Sequence, residues 1–132
     1  MKLLGVDYGT KRIGLATGDT EMSLALPLRS VATFEEVVAA AREESADRVV
    51  VGMPRSMTDA GIAGERAILV KAFIERLRMV LALPIETEDE RMTTAMVEHM
   101  RRDAGVKKKD FDADAAAATA ILETYLERMK SR

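Results

Sequence analysis

The spacing of apolar residues changes several times along the chain, and the changes mark its elements. Lys2 to Asp7 (KLLGVD) is a short apolar run closed by a polar turn. Ile13 to Thr17 and Ser23 to Val31 are two more runs of strand length, separated by Gly18-Asp19. Three strands on short turns predict an antiparallel meander. Thr33-Phe34-Glu35-Glu36 then has capping-box spacing, a Thr hydroxyl and a Glu carboxylate satisfying the first N–H groups of a helix, and predicts a helix from Phe34 to about Ser45. Arg48 to Met53 (RVVVGM) is β-branched and unbroken, as in a strand buried on both faces, and Pro54 ends it. Leu69, Phe73, Leu77 and Val80 recur at steps of three and four, predicting a long helix that closes before Pro84. Pro84 to Glu88 reads as another strand and Thr93 to Arg102 as a helix stopped by Gly105. After a basic loop, a last helix from about Asp112 to Lys130 buries Ala118, Ile121, Leu122, Tyr125 and Met129.

The order βββαβαβαα predicts an α/β fold: a five-stranded mixed sheet, three strands antiparallel and then two parallel, flanked by helices. In such sheets ligands gather beyond the carboxyl ends of the strands, near Asp7, Met53 and Glu88. No repeat or linker interrupts the pattern, so 132 residues at 48% apolar and 32% charged are read as one domain, 1–132. A net charge of −2 excludes nucleic-acid capture by a bulk positive field, leaving only local clusters at Lys11-Arg12, Arg101-Arg102 and Lys107-Lys108-Lys109. The absence of cysteine rules out disulfides and thiolate metal sites and agrees with a reducing cytoplasm. The N-terminal apolar run stops at Asp7, and no later stretch approaches the ~20 residues of a membrane span, so no membrane partner is expected.

Three acidic groups carry candidate chemistry. Asp7 shares one strand face with Leu3 and Gly5, ending a row in which the glycine leaves room beside the backbone; its alternative role is as a turn residue before Gly9. Asp114 falls on the core-facing side of the last helix, while Asp110 and Asp112 are available to cap that helix. Glu86-Thr87-Glu88-Asp89-Glu90-Arg91 is dense in acids just beyond a strand, although Asp89 or Thr93 could simply cap the helix that follows. Acids from separate elements converge only if a cation neutralises them. All-oxygen ligands suit Mg²⁺ or Mn²⁺ rather than Zn²⁺, and the lone imidazole, His99, is expected on the surface. Two such ions ~4 Å apart can hydrolyse a phosphodiester without a histidine base. Lys11, Arg12, Arg55 and Arg91 are then candidate backbone clamps.

Val6-Asp7-Tyr8-Gly9-Thr10-Lys11-Arg12-Ile13-Gly14, Val50-Val51-Gly52-Met53-Pro54, Asp89-Glu90-Arg91-Met92-Thr93-Thr94 and Asp114-Ala115-Ala116 with Ile121-Leu122 resemble the YqgF/RuvX family over nearly the whole chain. The resemblance implies an RNase H-like nuclease of the kind assigned to pre-16S rRNA processing or Holliday-junction resolution. It implies Asp7, the Asp89-Glu90 pair and Asp114 as catalytic metal ligands, with Lys11, Arg12, Arg55, Arg91 and Thr93 toward substrate. Where the related RuvC resolvases place an acid on the fourth strand, this chain has Val49-Val50-Val51-Gly52, so the third ligand must come from elsewhere; Glu90 is preferred and Asp89 is second. The family's glycine-bearing loop survives as Gly52, Pro54, Met57 and Gly61.

RNA is favoured as substrate over branched DNA, because neither a broad basic surface nor a dimer seam is evident; a homodimer stays open. Asp7-Tyr8-Gly9-Thr10 also resembles the first phosphate loop of actin-like ATPases and sugar kinases, but those close two domains around ATP. A non-catalytic nucleic-acid or protein-binding module is the other alternative, and it would tolerate Asp7→Asn and Asp114→Asn.

Overall fold

The computed structural model describes residues 1–54, 62–90 and 93–130, with the side chains of 62, 63, 93 and 94 left out. Strands β1 (Lys2–Tyr8), β2 (Ile13–Asp19) and β3 (Leu24–Val31) are followed by α1 (Phe34–Glu43), β4 (Arg48–Met53), α2 (Ile62–Val80), β5 (Ile85–Asp89), α3 (Thr93–Ala104) and α4 (Ala113–Lys130). The sheet order is β3-β2-β1-β4-β5. The β1–β2 and β2–β3 pairs are antiparallel, and β4 runs parallel to both β1 and β5. The expected α/β topology is therefore present, with a single 3-10 turn at Lys108–Asp110 added in the basic loop.

Local chemistry explains the boundaries. The Glu36 N–H donates to the Thr33 hydroxyl at 3.2 Å, while the Glu36 carboxylate accepts from Ala32 N–H at 3.3 Å, a capping box displaced by one residue. Gly105 ends α3 with φ of 66°, a backbone conformation only glycine adopts without strain. No helix among the described residues is long and apolar enough to cross a membrane.

Alternating side chains divide the core into two layers. Leu4, Val6, Val49, Val51 and Met53 face α1 and α2 with Val37, Val70, Phe73 and Leu77. Leu3, Ala16 and Val50 face α4 with Ala118, Ile121, Leu122 and Tyr125. On α2 the expected stripe is only partly right: Phe73 and Leu77 are buried, but Leu69 and Val80 are each 45% exposed. Ala67, Val70, Ile74 and Leu81 complete the buried face instead. The helix carries apolar residues around most of its circumference, so periodicity alone does not fix its rotation.

The second layer is unusually tight because α4 opens with small residues and the strands beneath it carry glycines. A Cβ on Gly5 would stand 2.5 Å from Leu122 Cγ, and one on Gly14 would stand 1.8 Å from the Asp114 carbonyl oxygen. The helix thus rests directly on the sheet, and its first turn is pinned over β2.

Candidate active site

Register carries Asp7 to the carboxyl end of β1, on the α4 face of the sheet. Its antiparallel partner on β2 is Gly14, and on β4 Gly52 lies one step beyond the Val6–Val51 pair. Asp7 is therefore flanked by two positions without side chains, and α4 packs into the space that each leaves. Over Gly14 lies the backbone of Asp114. Over Gly52 lies the Ile121 side chain, whose Cδ1 would be 2.4 Å from a Cβ built there, with the Glu90 Oε2 beside it at 3.4 Å. The space that a β4 side chain would occupy is thus taken by Ile121 of α4, and the Glu90 carboxylate, from just past β5, lies at its margin.

The same register separates the adjacent acids. Gly52 pairs with Glu88 and Met53 with Asp89, so Asp89 falls on the opposite, α1/α2 side, whereas Glu90 follows on the α4 side. The Glu90 N–H is held by the Met53 carbonyl at 3.1 Å. The other acids of this run are structural. Glu86 accepts from the buried Tyr125 hydroxyl at 2.5 Å, and Glu88 accepts from Arg128 at 2.7 and 2.9 Å, tying β5 to α4.

Asp114 is not consumed as a cap. Asp112 takes that role, accepting the Ala115 N–H at 3.0 Å and the Ser30 hydroxyl at 2.5 Å. The Asp114 carboxylate instead lies 3.2 Å from Arg12 Nε. Arg66, in the second turn of α2, reaches between the other two acids: it pairs with Glu90, stands 3.6 Å from Asp7 Oδ1 and donates to the Tyr8 carbonyl at 3.5 Å. Sequence reading missed Arg66. The available signal was helical spacing, since it lies four residues before Val70 and seven before Phe73, on the side of α2 that faces the strands.

Burial, and then the Glu90 carboxylate, push Asp7 from an ordinary 3.8 up to about 6; Arg66 pulls it down and Asp114 pushes it up. Negative charge is therefore crowded here beyond what one guanidinium offsets. The three-acid convergence expected from sequence is only partial: Asp7 and Glu90 meet, while Asp114 is in electrostatic range but turned to Arg12. Among the described residues, no three Asp, Glu, His or Cys side chains stand together closely enough to hold an ion. Lys11 is exposed in the β1–β2 turn, and His99 lies on the surface of α3 against Asp103. Thr93 opens α3; its side chain, and Arg55, Met57, Gly61, Arg91 and Met92 entirely, lie outside the described residues.

Solved structures share this architecture. RuvC of Thermus thermophilus, in complex with a Holliday junction, is similar with a TM-score of 0.61 at 18% identity over 98% of this chain and 96% of that one. A fowlpox virus resolvase in complex with Holliday junction DNA gives 0.60 at 13% identity over 98% and 99%. The fold is that of the RuvC-like, RNase H-type nucleases. Residues 1–128 match the family model RuvX, described as Holliday junction resolvase. A relative from Nitratidesulfovibrio vulgaris is 37% identical over 100% of this chain and 97% of its own. One from Rickettsia akari is 34% identical over 98% and 88%, and both bear the name "Putative pre-16S rRNA nuclease". The chain belongs to the RuvX family, and it is a nuclease.

Proposed function

We propose that the protein is a cytoplasmic, divalent-metal-dependent nuclease, one domain over 1–132, that hydrolyses phosphodiester bonds in RNA of the pre-16S rRNA type. The observation that supports this reading is the meeting of Asp7 and Glu90 from separate strands at the carboxyl edge of the sheet, with Asp114 one strand away.

The donor set fits a hard cation. It consists of carboxylate oxygens alone, it lacks imidazole and thiolate, and its excess negative charge already draws in Arg66. Asp7, Glu90 and Asp114 would hold Mg²⁺ or Mn²⁺, with Arg66 and Arg12 giving up their present pairing. When bound, a pair of such ions supplies an activated water and neutralises charge on the leaving oxygen. The chain's own residues supply the rest. Gly14 lets the first turn of α4 bring Asp114 to the neighbouring strand, beside the mostly buried Asp7–Glu90 pair at the sheet edge. Lys11 and Arg12, in the turn beside Asp7, meet the phosphate backbone, and Arg55, Arg91 and Thr93 are assigned the same role from sequence alone.

Branched DNA is the second reading, favoured by the family description and by the junctions bound to both structural relatives. The test is cleavage of end-labelled single-stranded RNA, structured RNA and a synthetic four-way junction with Mn²⁺, Mg²⁺ or EDTA. RNA cut only with metal supports the proposal. Symmetric paired nicks in the junction, with RNA intact, replace it by a dimeric resolvase, and equal cutting in EDTA removes the metal.

A further inference from the structure

Beside the acids, the edge of the sheet opens on its other face into a cleft that the chemistry above does not use. It lies between the β1–β2 turn and α2, with a volume of about 260 Å³ and walls that include Tyr8, Thr10, Phe34, Leu69, Phe73 and Arg76. A second hollow, of about 340 Å³, shares Tyr8, Thr10 and Leu69 and adds Arg66, which links the cleft to Asp7 and Glu90. The strand order explains the arrangement. Asp7 faces α4 and its neighbour Tyr8 faces α2, so one polymer crossing the end of β1 meets the carboxylates on one side and this cleft on the other.

The walls are mixed in polarity; the half-buried Tyr8 and Phe34 rings and the Arg76 guanidinium supply planar surfaces, and the buried Phe73 backs them. Tyr8 and Phe73 lie with ring centroids 4.5 Å apart, Phe34 stands edge-on to Phe73 at 5.9 Å, and the Arg76 guanidinium covers Phe34 at 4.0 Å. Leu69 sits at the rim, 45% exposed although its spacing matches the buried stripe. Such a surface suits a nucleobase, which stacks on aromatic and guanidinium planes without a sequence code. The cleft's volume is enough for one ring system, and the adjoining hollow of about 340 Å³ leaves room for the sugar and phosphate that lead to Asp7 and Glu90.

We propose that this cleft receives one unstacked base of the strand being cut, adjacent to the phosphodiester held at the carboxylates. The proposal rests on the nuclease reading above and adds the class of substrate: a strand unpaired at the cleavage point, because a base in a duplex enters only after flipping out, at the cost of its pairing and stacking.

The experiment is metal-dependent cleavage of a short single-stranded RNA in which one abasic nucleotide is moved stepwise past the cut site. Wild-type protein is expected to lose roughly tenfold in kcat/KM, mainly through KM, when the missing base is the one beside the cut phosphate. Arg76→Ala and Leu69→Ser, both on the exposed side of α2, are expected to impose a similar loss on intact RNA and no further loss on that abasic RNA; melting curves confirm their folding. Additive losses overturn the proposal, since Arg76 would then act on phosphate. Equal cleavage of every abasic RNA also overturns it while leaving the nuclease standing. No cleavage under any metal overturns both.

Discussion

Asp7 combines two opposed requirements in one side chain. Its pKa of about 6 in the metal-free protein exceeds the ordinary 3.8, so the folded state binds more protons than the unfolded chain between these values. Stability then falls as pH rises through that window, and the penalty is fully present above pH 6. Asp7→Asn removes the charge, so it is expected to abolish cleavage yet stabilise the metal-free protein at pH 8 by up to about 3 kcal/mol, with little gain at pH 3. Urea unfolding in EDTA at both pH values checks this. Arg66 acts in the other direction: Arg66→Gln removes the cation facing Asp7 and is expected to raise its midpoint further, measurable by NMR titration of the carboxyl carbon. At this scale the sequence was legible where a side chain had a singular setting. Asp7 beyond Gly5, and Asp114 with Asp112 free to cap, could be picked out as candidates. Arg66 could be placed by its spacing on the strand-facing side of α2 but not at the site, because its partners lie at residues 7 and 90 and only the fold brings them to α2.

The elements hold the acids through backbone approach more than through side-chain contact. Gly14 is the clearest case: any side chain there meets the Asp114 carbonyl, and the first turn of α4 would have to lift from β2. Gly14→Ala is expected to cost about 3 kcal/mol and to depress cleavage by displacing Asp114. A Cβ on Gly52 meets the end of a flexible Ile121 side chain at 2.4 Å, so Gly52→Ala is expected to cost about 1 kcal/mol. Paired denaturation curves and rates test the order. The far end of the sheet is held differently, by the buried Tyr125 hydroxyl between Glu86 and Arg48, which donates to Tyr125 at 2.7 Å. Tyr125→Phe leaves the Arg48–Glu86 ion pair in place, so a loss of about 1 kcal/mol with unchanged turnover is expected. Periodicity located every strand and helix, since strand alternation, the capping box and Pro54 act locally. It misjudged the rotation of α2, where Ile68 and Leu69 are as apolar as the buried Val70 and Ile74. It could only prefer Glu90 over Asp89, because the choice depends on which β4 residue each one faces.

Across the whole molecule, a chain of net charge −2 binds a polyanion by concentrating its interactions at one edge of the sheet. On the proposed function, divalent cations bound to the carboxylates would convert a repelling pocket into an attracting one, with Arg12 already paired to Asp114 there. Order of elements and family motifs made this architecture readable in advance; the crossing of a strand from the α4 face to the α2 face required the sheet itself. The most direct measurement of the central claim is the single-turnover rate of RNA cleavage in Mn²⁺ for wild-type protein, Asp7→Asn and Glu90→Gln, each compared with EDTA. The account predicts metal-dependent cutting that falls ~100-fold or more in both variants while their folds persist. Cutting by either variant at the wild-type rate would contradict it.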